Sequence, residues 1–322
     1  MAEGERCGLV ALVGRPNSGK STLLNALVGE KVAIVSGKPQ TTRNRIVGVV
    51  TERRGQAVFF DLPGVHRPLH RMNRKMMQEV RSALEEVDLI LHLVDASNAW
   101  GAGEEFLFDL LAPLTADILG VLTKIDLVRP RERLLPLLDS YRDRRPDTEV
   151  VPISARTGDN LEELRATLFR HLPEGPQLYP AGVSTTQTER FFVAEVVREK
   201  LLRLTHDELP YTTGVLIEQF EERPGMLHID AVILVERQSQ RGVVIGKGGR
   251  MIREIGRAAR EELEARLGSR MFLGLRVKVS PRWREDARVL VQMEPGVAVP
   301  EPEDGPSSLP RPSDAGPVGE EP

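Results

Sequence analysis

GRPNSGKS, residues 14–21, is the stretch on which the reading of this chain turns. It fits G-x-x-x-x-G-K-[ST] and stands between an apolar run, CGLVALVG (7–14), and a helix-forming segment that starts near Lys20. Gly14 and Gly19 let the loop curl so that successive backbone N–H groups face one anion, with Arg15, Pro16, Asn17 and Ser18 between them. The following helix adds the positive end of its dipole. Lys20 brings a point charge to terminal phosphates, Ser21 offers an oxygen to Mg²⁺, and Thr22 continues the site into the helix. The expected ligand is a nucleotide phosphate chain with its Mg²⁺.

Outward from this loop, further apolar runs occur at AVFFDLPG (57–64), DLILHLVDAS (88–97), DILGVLTKID (117–126) and TEVVPISA (148–155). Each is rich in Val, Ile, Leu or Phe and ends in Gly, Asp, Ser or Pro, as strands buried on both faces do. Between them lie helical patterns such as MNRKMMQEVRSALEEV (72–87) and GDNLEELRATLFRHL (158–172), the latter with Asp159 or Asn160 as a possible cap. Repeated strand–helix units predict an α/β domain over 5–175, with a mostly parallel sheet and helices on both faces. RIVGVVTERRGQAVFF (45–60) adds a hairpin and one antiparallel strand at the sheet edge.

The grammar changes after a Pro-, Gly-, Ser- and Thr-rich linker, 176–188. A helix at 191–204 is followed by alternating strands at 213–223 and 226–237, joined through Pro224-Gly225, then by a glycine loop, a basic helix at 250–267 and a strand at 271–280. This is a smaller α+β domain, 189–294, of order α-β-β-α-α-β. Residues 295–322 hold 8 Pro and 4 Gly with little apolar content, and read as a disordered acidic tail.

The 322 residues suit two domains and a tail, and the 40% hydrophobic, 28% charged composition is that of a soluble globular chain. The lone Cys7 excludes an internal disulfide and reads as a small core residue. No apolar run approaches bilayer length, and the N-terminus has no signal-peptide layout, so an intracellular protein is expected. The net charge of -3 conceals an uneven distribution: 237–288 carries 14 basic against 6 acidic residues, whereas 295–322 carries 1 against 6. A concentrated basic segment is the footprint of a nucleic-acid surface.

Three strand-end motifs choose the ligand. In DLPG (61–64), Asp61 can hold Mg²⁺ through water, Leu62 and Pro63 shape the turn, and Gly64 can present its N–H to a γ-phosphate. In TKID (123–126), Asp126 can accept two hydrogen bonds from the N–H edge of guanine, which adenine does not offer, while Lys124 lies along the base. In SAR (154–156), the Ala155 N–H can meet the guanine carbonyl, flanked by Ser154 and Arg156. Together these motifs resemble the G domain of translation-factor-like GTPases. That resemblance implies GTP and GDP as ligands and GTP hydrolysis as the activity. It makes Thr42 (or Thr41) of PQTTRNR (39–45) the Mg²⁺ and γ-phosphate contact of the first switch. Lys20, Thr42, Asp61 and Gly64 become the catalytic set. One departure is Thr123, where the family usually has Asn. Another is Val65, where many such enzymes place a water-orienting glutamine. Asn17 resembles the K⁺-coordinating asparagine of the branch with a hydrophobic residue there, which implies slow, K⁺-stimulated turnover.

In the second domain Gly246-Lys247-Gly248-Gly249 sits between two helical segments, where glycines admit a close RNA backbone and Lys247 and Arg250 neutralise phosphates. Arg253, Arg257 and Arg260 follow on one helix face, and Ile245, Met251, Ile252 and Ile255 pack the helix pair or line a base groove. The domain resembles a KH domain of the bacterial-ribosome type. A single G domain followed by this KH domain, with PQTTRNR, DLPGVHRP and ELPY (208–211), resembles the Era family of ribosome-assembly GTPases. The resemblance implies a monomer that binds the small ribosomal subunit near the 3′ end of its 16S RNA under control of the nucleotide. It also implies a cytoplasmic location with peripheral contact to the inner membrane. Competing readings are a nucleotide-gated RNA-binding protein with incidental hydrolysis and a P-loop kinase, against which Asp126 and SAR argue. Arg43 and Arg45 are candidate charge stabilisers, Trp283 is either a stacking or a packing aromatic, and His66 and His70 lack metal-ligand companions.

Overall fold

In the computed structural model, which describes residues 4–65, 71–205 and 209–296, the glycine loop follows directly from strand β1 (Arg6–Gly14) and feeds helix α1 (Lys20–Val28). The chain continues through β2 (Ile46–Glu52), β3 (Gly55–Asp61), α2 (Arg71–Glu86), β4 (Leu89–Asp95), α3 (Ala102–Leu111), β5 (Asp117–Thr123), α4 (Leu134–Arg144), β6 (Val150–Pro152) and α5 (Leu161–His171). Among the described residues the first domain carries a six-stranded sheet, ordered β2-β3-β1-β4-β5-β6, with β2 alone antiparallel to its neighbour. Every residue of β4 is buried, because separate apolar clusters cover the two sheet faces. Apart from Asp95 at its end, His92 is the one polar side chain of that strand, and its Nδ1 lies 3.0 Å from the Tyr141 hydroxyl.

Two details of this sheet build the site. The β2–β3 register pairs Ile46 with Asp61, so the threonines just upstream of β2 are carried to the Asp61 carboxylate. The parallel strands also stop earlier than their apolar runs. β3 ends at Asp61, β5 at Thr123 and β6 at Pro152, leaving LPG, KID and SAR in loops beyond the carboxyl ends. Lys124 adopts a left-handed φ of 60°, which takes the chain out of the ladder. Cys7 is buried in β1.

The 176–188 segment is bound along the sheet rather than slack. The Val49 N–H donates to the Ser184 carbonyl at 2.8 Å, Thr185 Oγ1 donates to the Val47 carbonyl at 2.7 Å, and the buried Gln56 amide bonds the Leu178 and Tyr179 backbone. These bonds cover the exposed edge of β2, which would otherwise present unpaired backbone groups.

Helix α6 (Glu189–Leu204) opens the second domain, with the Thr188 side chain capping it by accepting from the Phe191 N–H. It continues with α7 (Leu209–Thr212), β7 (Gly214–Arg223), β8 (Met226–Val235), α8 (Gln238–Ile245), α9 (Arg250–Leu267), β9 (Met271–Val279) and α10 (Ala287–Gln292). Its sheet runs β7-β8-β9, antiparallel then parallel. Period-two alternation in β8 sends Ile229, Ala231, Ile233 and Val235 into the core beneath α6 and α9. Val232 and Leu234 point the other way, where Trp283, Leu290 and the α2 residues Met72 and Met76 cover them. The first domain therefore packs directly on the outer face of the second domain's sheet, and each such buried apolar side chain contributes about 1.5–3 kcal/mol. Helices α3 and α4 fill two of the expected strand–helix units, whereas the short α7 and α10 lie outside the α-β-β-α-α-β order read from the sequence. Of the tail read above over 295–322, Pro295 is held by Thr188 Oγ1, which donates to its carbonyl at 2.9 Å, and residues 297–322 lie outside the described residues.

Candidate nucleotide site and nucleic-acid interface

The residues of the phosphate loop converge as its chemistry demands. A Cβ on Gly14 would lie 2.6 Å from the Leu93 carbonyl and collide with Ser18, and one on Gly64 would lie 2.9 Å from Pro16. Glycine is thus required where β1 turns into the loop and where the DLPG turn approaches it. Lys20 Nζ donates back to the Gly14 and Arg15 carbonyls at 3.0 and 3.1 Å, closing the loop around its own cation. Burial pulls the Lys20 pKa down to about 8, opposed by the attraction of Asp61 and Glu104. Pro16, Asn17, Gly19, Ser21, Thr22 and Lys124 line a cleft of about 270 Å³ in front of it, together with residues 34–37 and 40–42.

Three oxygens meet at the edge of this cleft. Ser21 Oγ lies 2.9 Å from Thr42 Oγ1, and both hydroxyls reach Asp61 Oδ2, Ser21 at 2.5 Å and Thr42 at 3.3 Å. Asp61 is fully buried, and desolvation raises its pKa despite Lys20 and the two hydroxyls. Asp61 Oδ1 and Ser18 Oγ are buried without hydrogen-bond partners. Hard oxygen donors, one of them an undercompensated carboxylate, fit a hydrated Mg²⁺ beside a phosphate chain. Of the two threonines proposed for the first switch, Thr42 makes these contacts; Thr41 Oγ1 turns to Ser36 and the Lys38 carbonyl.

The base side is assembled from three loops. Asp126 accepts from Ser154 Oγ at 2.7 Å and from Arg156 at 2.5 Å, and these bonds, Ser154 first, hold its carboxyl below the usual range. Lys124 pairs with Asp95 at 2.6 Å, which fixes the lysine stem beside the loop. Ala155 stands between Ser154 and Arg156 in the SAR loop. Thr123 Oγ1 donates to the Ser18 carbonyl, so the hydroxyl at this departure position still ties β5 to the phosphate loop. Leu62 is buried, Pro63 follows it in the turn, and Val65 is buried in the core below.

Arg43 and Arg45 face away from the phosphate loop. Arg43 is buried, donates to the Thr213 carbonyl at 2.8 Å and lies over the Trp283 ring, while Arg45 pairs with Glu86 and covers Phe60. Trp283 is 1% exposed and is a packing residue. Asn160 stands at the N-cap of α5, but its side chain donates to the Pro152 carbonyl instead of capping the helix. His66 and His70 lie outside the described residues. Sequence reasoning missed Asp95 and Glu104. The D-A-S that ends the β4 run was the available signal for Asp95, and nothing local marked Glu104, which pairs with Arg15 at 3.6 Å.

The second candidate surface lies at the α8–α9 junction. Gly246, Gly248 and Gly249 all have positive φ (71°, 59° and 76°), with Lys247 exposed among them. Arg250, Arg253, Arg257 and Arg260 are exposed along α9, whereas Ile255 is buried and Ile245, Met251 and Ile252 are half-buried. A bare glycine loop thus leads into a cationic helix face whose apolar side is in the core.

Comparison with known proteins agrees with this arrangement. A family model described as a 50S ribosome-binding GTPase matches residues 9–124, and a KH-domain model matches 208–284. The GTPase Era of Heliobacterium modesticaldum is 46% identical over 286 residues, spanning 88% of this chain and 95% of that protein. The chain belongs to the Era family of GTPases. Era of Geobacter sp. strain M21 is 47% identical over 88% of this chain and 96% of its own length. A crystal structure of Era with MgGDPNP and nucleotides 1506–1542 of 16S ribosomal RNA superimposes with a TM-score of 0.87 at 39% identity, over 90% of this chain and 98% of that one. An Aquifex aeolicus Era variant bound to GDP·AlF4⁻ gives the same TM-score at 40% identity, over 89% and 98%. The Era pattern of a P-loop GTPase domain followed by a KH domain is therefore present in full. No helix of the described residues is long and apolar enough to cross a membrane.

Proposed function

We propose that this chain is a Mg²⁺-dependent GTP hydrolase that binds 16S ribosomal RNA near its 3′ end and acts in small-subunit assembly, with the nucleotide state gating RNA binding. It would work as a monomer in the cytoplasm, with a G domain over 5–175, a connector over 176–188, a KH domain over 189–294 and the acidic tail beyond. The observation that carries the reading is the meeting of Ser21, Thr42 and Asp61 in one cleft, on a segment that also touches the RNA-binding domain. The 50S description belongs to a model ending at Lys124, so the subunit assignment follows the whole-chain likeness to the Era–16S RNA complex.

The chain's own groups suggest the division of labour. Lys20 and the loop N–H groups would hold the phosphates, and Gly64 would present its N–H where charge develops on the γ-phosphate. Ser21, Thr42 and Asp61 would hold Mg²⁺, which neutralises charge on the phosphate chain when bound. Asp126 would select guanine. Val65 cannot orient water, so hydrolysis is slow and leans on electrostatics, with Asn17 as the residue through which K⁺ would act. Exposed Gly248, Lys247, Arg250, Arg253 and Arg257 would take the RNA backbone, and the same basic face is where peripheral membrane contact would be made.

The test is GTP turnover in KCl, with and without an RNA carrying the small-subunit 3′ end, beside RNA affinity with GDP and with a non-hydrolysable GTP analogue. The expected result is faster turnover with RNA and a different RNA affinity in the two nucleotide states. Equal turnover and equal affinity would leave two uncoupled domains and sink the gating.

A further inference from the structure

The first switch does not hang free over the nucleotide cleft. Helix α6 of the KH domain grips it at both ends. At its start, the Val35 N–H donates to Glu199 Oε1 at 2.9 Å, and the Val35 carbonyl accepts from Arg203 at 3.2 Å. Near its end, the Arg198 guanidinium donates to the Thr41 carbonyl in a short, buried contact. Arg198 is 2% exposed, and its orientation is fixed by Glu195, which accepts from Nε at 2.7 Å and from Nη2 at 2.6 Å. Thr42 follows Thr41 immediately, and Arg43 is anchored in turn on the Thr213 carbonyl. The residue whose hydroxyl meets Ser21 and Asp61 is therefore held on both sides by a domain none of whose described residues lines the cleft.

Burying a guanidinium costs several kcal/mol, and here the cost is offset in part: Nε and Nη2 are bonded to Glu195 and the Thr41 carbonyl, while Nη1 is buried without a hydrogen-bond partner. Arg43 is buried as well, and desolvation followed by repulsion from Arg198 disfavours its charge. Arg198 reaches the switch from the KH domain and Arg43 reaches the KH domain from the switch, so hydrogen bonds running in both directions fix the segment while the domains stay docked, and the repulsion between the two guanidinium groups favours its release once they separate.

We propose that Arg198 is a positioning residue for GTP hydrolysis: by holding the Thr41 carbonyl from the KH domain, it sets the backbone register that delivers Thr42 Oγ1 to the metal side of the nucleotide cleft. The inference rests on the GTPase reading above and adds to it the route by which the RNA-binding domain acts on the chemistry. A shift of the KH domain on RNA displaces Arg198, and with it the register of one peptide.

The experiment uses full-length Arg198→Met and Arg198→Lys, with Arg266→Ala as the control for general loosening because it breaks the separate Arg266–Glu30 interdomain pair. Arg198→Met is expected to lower kcat at least tenfold with KM for GTP within threefold, since the phosphate loop and base loops are untouched. Amide hydrogen exchange over residues 36–45, measured with a non-hydrolysable GTP analogue bound, is expected to quicken at least tenfold. Arg198→Lys keeps the charge and its donors on a single nitrogen but lacks the guanidinium fork that spans Thr41 and Glu195, so it falls between Arg198→Met and the unsubstituted protein, and it carries the test alone if the methionine variant does not fold. Arg266→Ala is expected to leave kcat and exchange at 36–45 unchanged. Native kcat and exchange in the Arg198 variants, or equal losses in Arg266→Ala, would overturn the proposal. RNA affinity of the unsubstituted protein in the two nucleotide states separates this result from the gating: if it is equal in both, gating fails whatever Arg198 does to kcat.

Discussion

Thr123 Oγ1 donates to the Ser18 carbonyl at 2.7 Å, with the Val94 carbonyl at 3.2 Å, so a hydroxyl at the end of β5 fastens the base-recognition loop to the phosphate loop. Asparagine, usual in the family at this position, would bring an amide donor to the same place. The threonine keeps the tie with a shorter arm.

Removing that tie should weaken nucleotide binding without changing which base is chosen. Thr123→Val leaves the buried Ser18 carbonyl short of a donor, a loss of about 1–2 kcal/mol, or roughly 5- to 30-fold in GDP affinity. Discrimination lies with Asp126, so ADP should still fail to displace a fluorescent guanine nucleotide. Competition titrations check both statements, and ADP displacement in Thr123→Val would show that Thr123 itself selects the base.

Glu104 makes stability depend on pH. Its carboxyl is held up at about 7, chiefly by burial and against the attraction of Arg15, and its Oε2 lies 3.9 Å from His92 Nε2. A carboxyl whose pKa rises on folding favours the folded state when protonated. Its contribution is thus complete below the ordinary value of 4.5 and is lost as pH climbs through 7. Glu104→Gln cannot ionise, so between pH 5 and pH 8 the native chain should lose about 2–3 kcal/mol relative to the variant. Urea melts of the nucleotide-free proteins at the two pH values measure this; parallel behaviour would place the Glu104 pKa at its ordinary value.

Asn17 links the phosphate loop to the first switch. It takes a left-handed φ of 66° and donates from Nδ2 to the Gly37 carbonyl at 3.0 Å. A backbone carbonyl and an amide facing each other across the cleft mouth are the donors a monovalent cation would bridge once the amide turns its oxygen inward. GTP turnover in KCl should exceed that in NaCl at equal ionic strength by about tenfold or more, the scale of one electrostatic contact to the transition state. Asn17→Ala should abolish the difference, and equal rates in the two salts would remove K⁺ from the mechanism.

What the sequence disclosed and what it hid follow from the range of the interactions involved. GRPNSGKS, DLPG, TKID and SAR are contiguous, and each sits where an apolar run stops, so spacing and order alone brought Lys20, Asp61 and Asp126 to one end of a sheet. The second domain's element order was legible in the same way, from period-two strands and a periodic basic helix. Arg198 was not. It stands in FFVAEVVREKLLRL as an ordinary helical arginine, and its contact with Thr41 joins residues 157 apart in the chain. Met72 and Met76 read as a helix core, and nothing local shows that the core they complete belongs to the other domain. The SAR loop displays a subtler limit: spacing put Arg156 on the base side, but its pairing with Asp126 there could not be read from the sequence.

The glycine loop of the KH domain permits a substitution that separates binding from folding. Gly246 has a φ of 71°, and a Cβ there would lie 2.8 Å from the Met251 side chain and 2.9 Å from its backbone nitrogen, so Gly246→Ala should cost about 1–3 kcal/mol of stability. Gly248 also has a positive φ, 59°, but nothing stands within 4 Å of its Cβ position. Aspartate tolerates this left-handed conformation better than most residues, so Gly248→Asp should change stability by less than about 1 kcal/mol. Its carboxylate would project from the loop where a phosphodiester backbone must approach, beside Lys247 and Arg250. RNA affinity should fall at least tenfold at low salt, and the slope of log K against log salt should shallow by about one phosphate contact. GTP turnover without RNA should be unchanged, because the substitution lies in the other domain. Native RNA affinity in a folded Gly248→Asp protein would move the RNA-binding surface away from this loop.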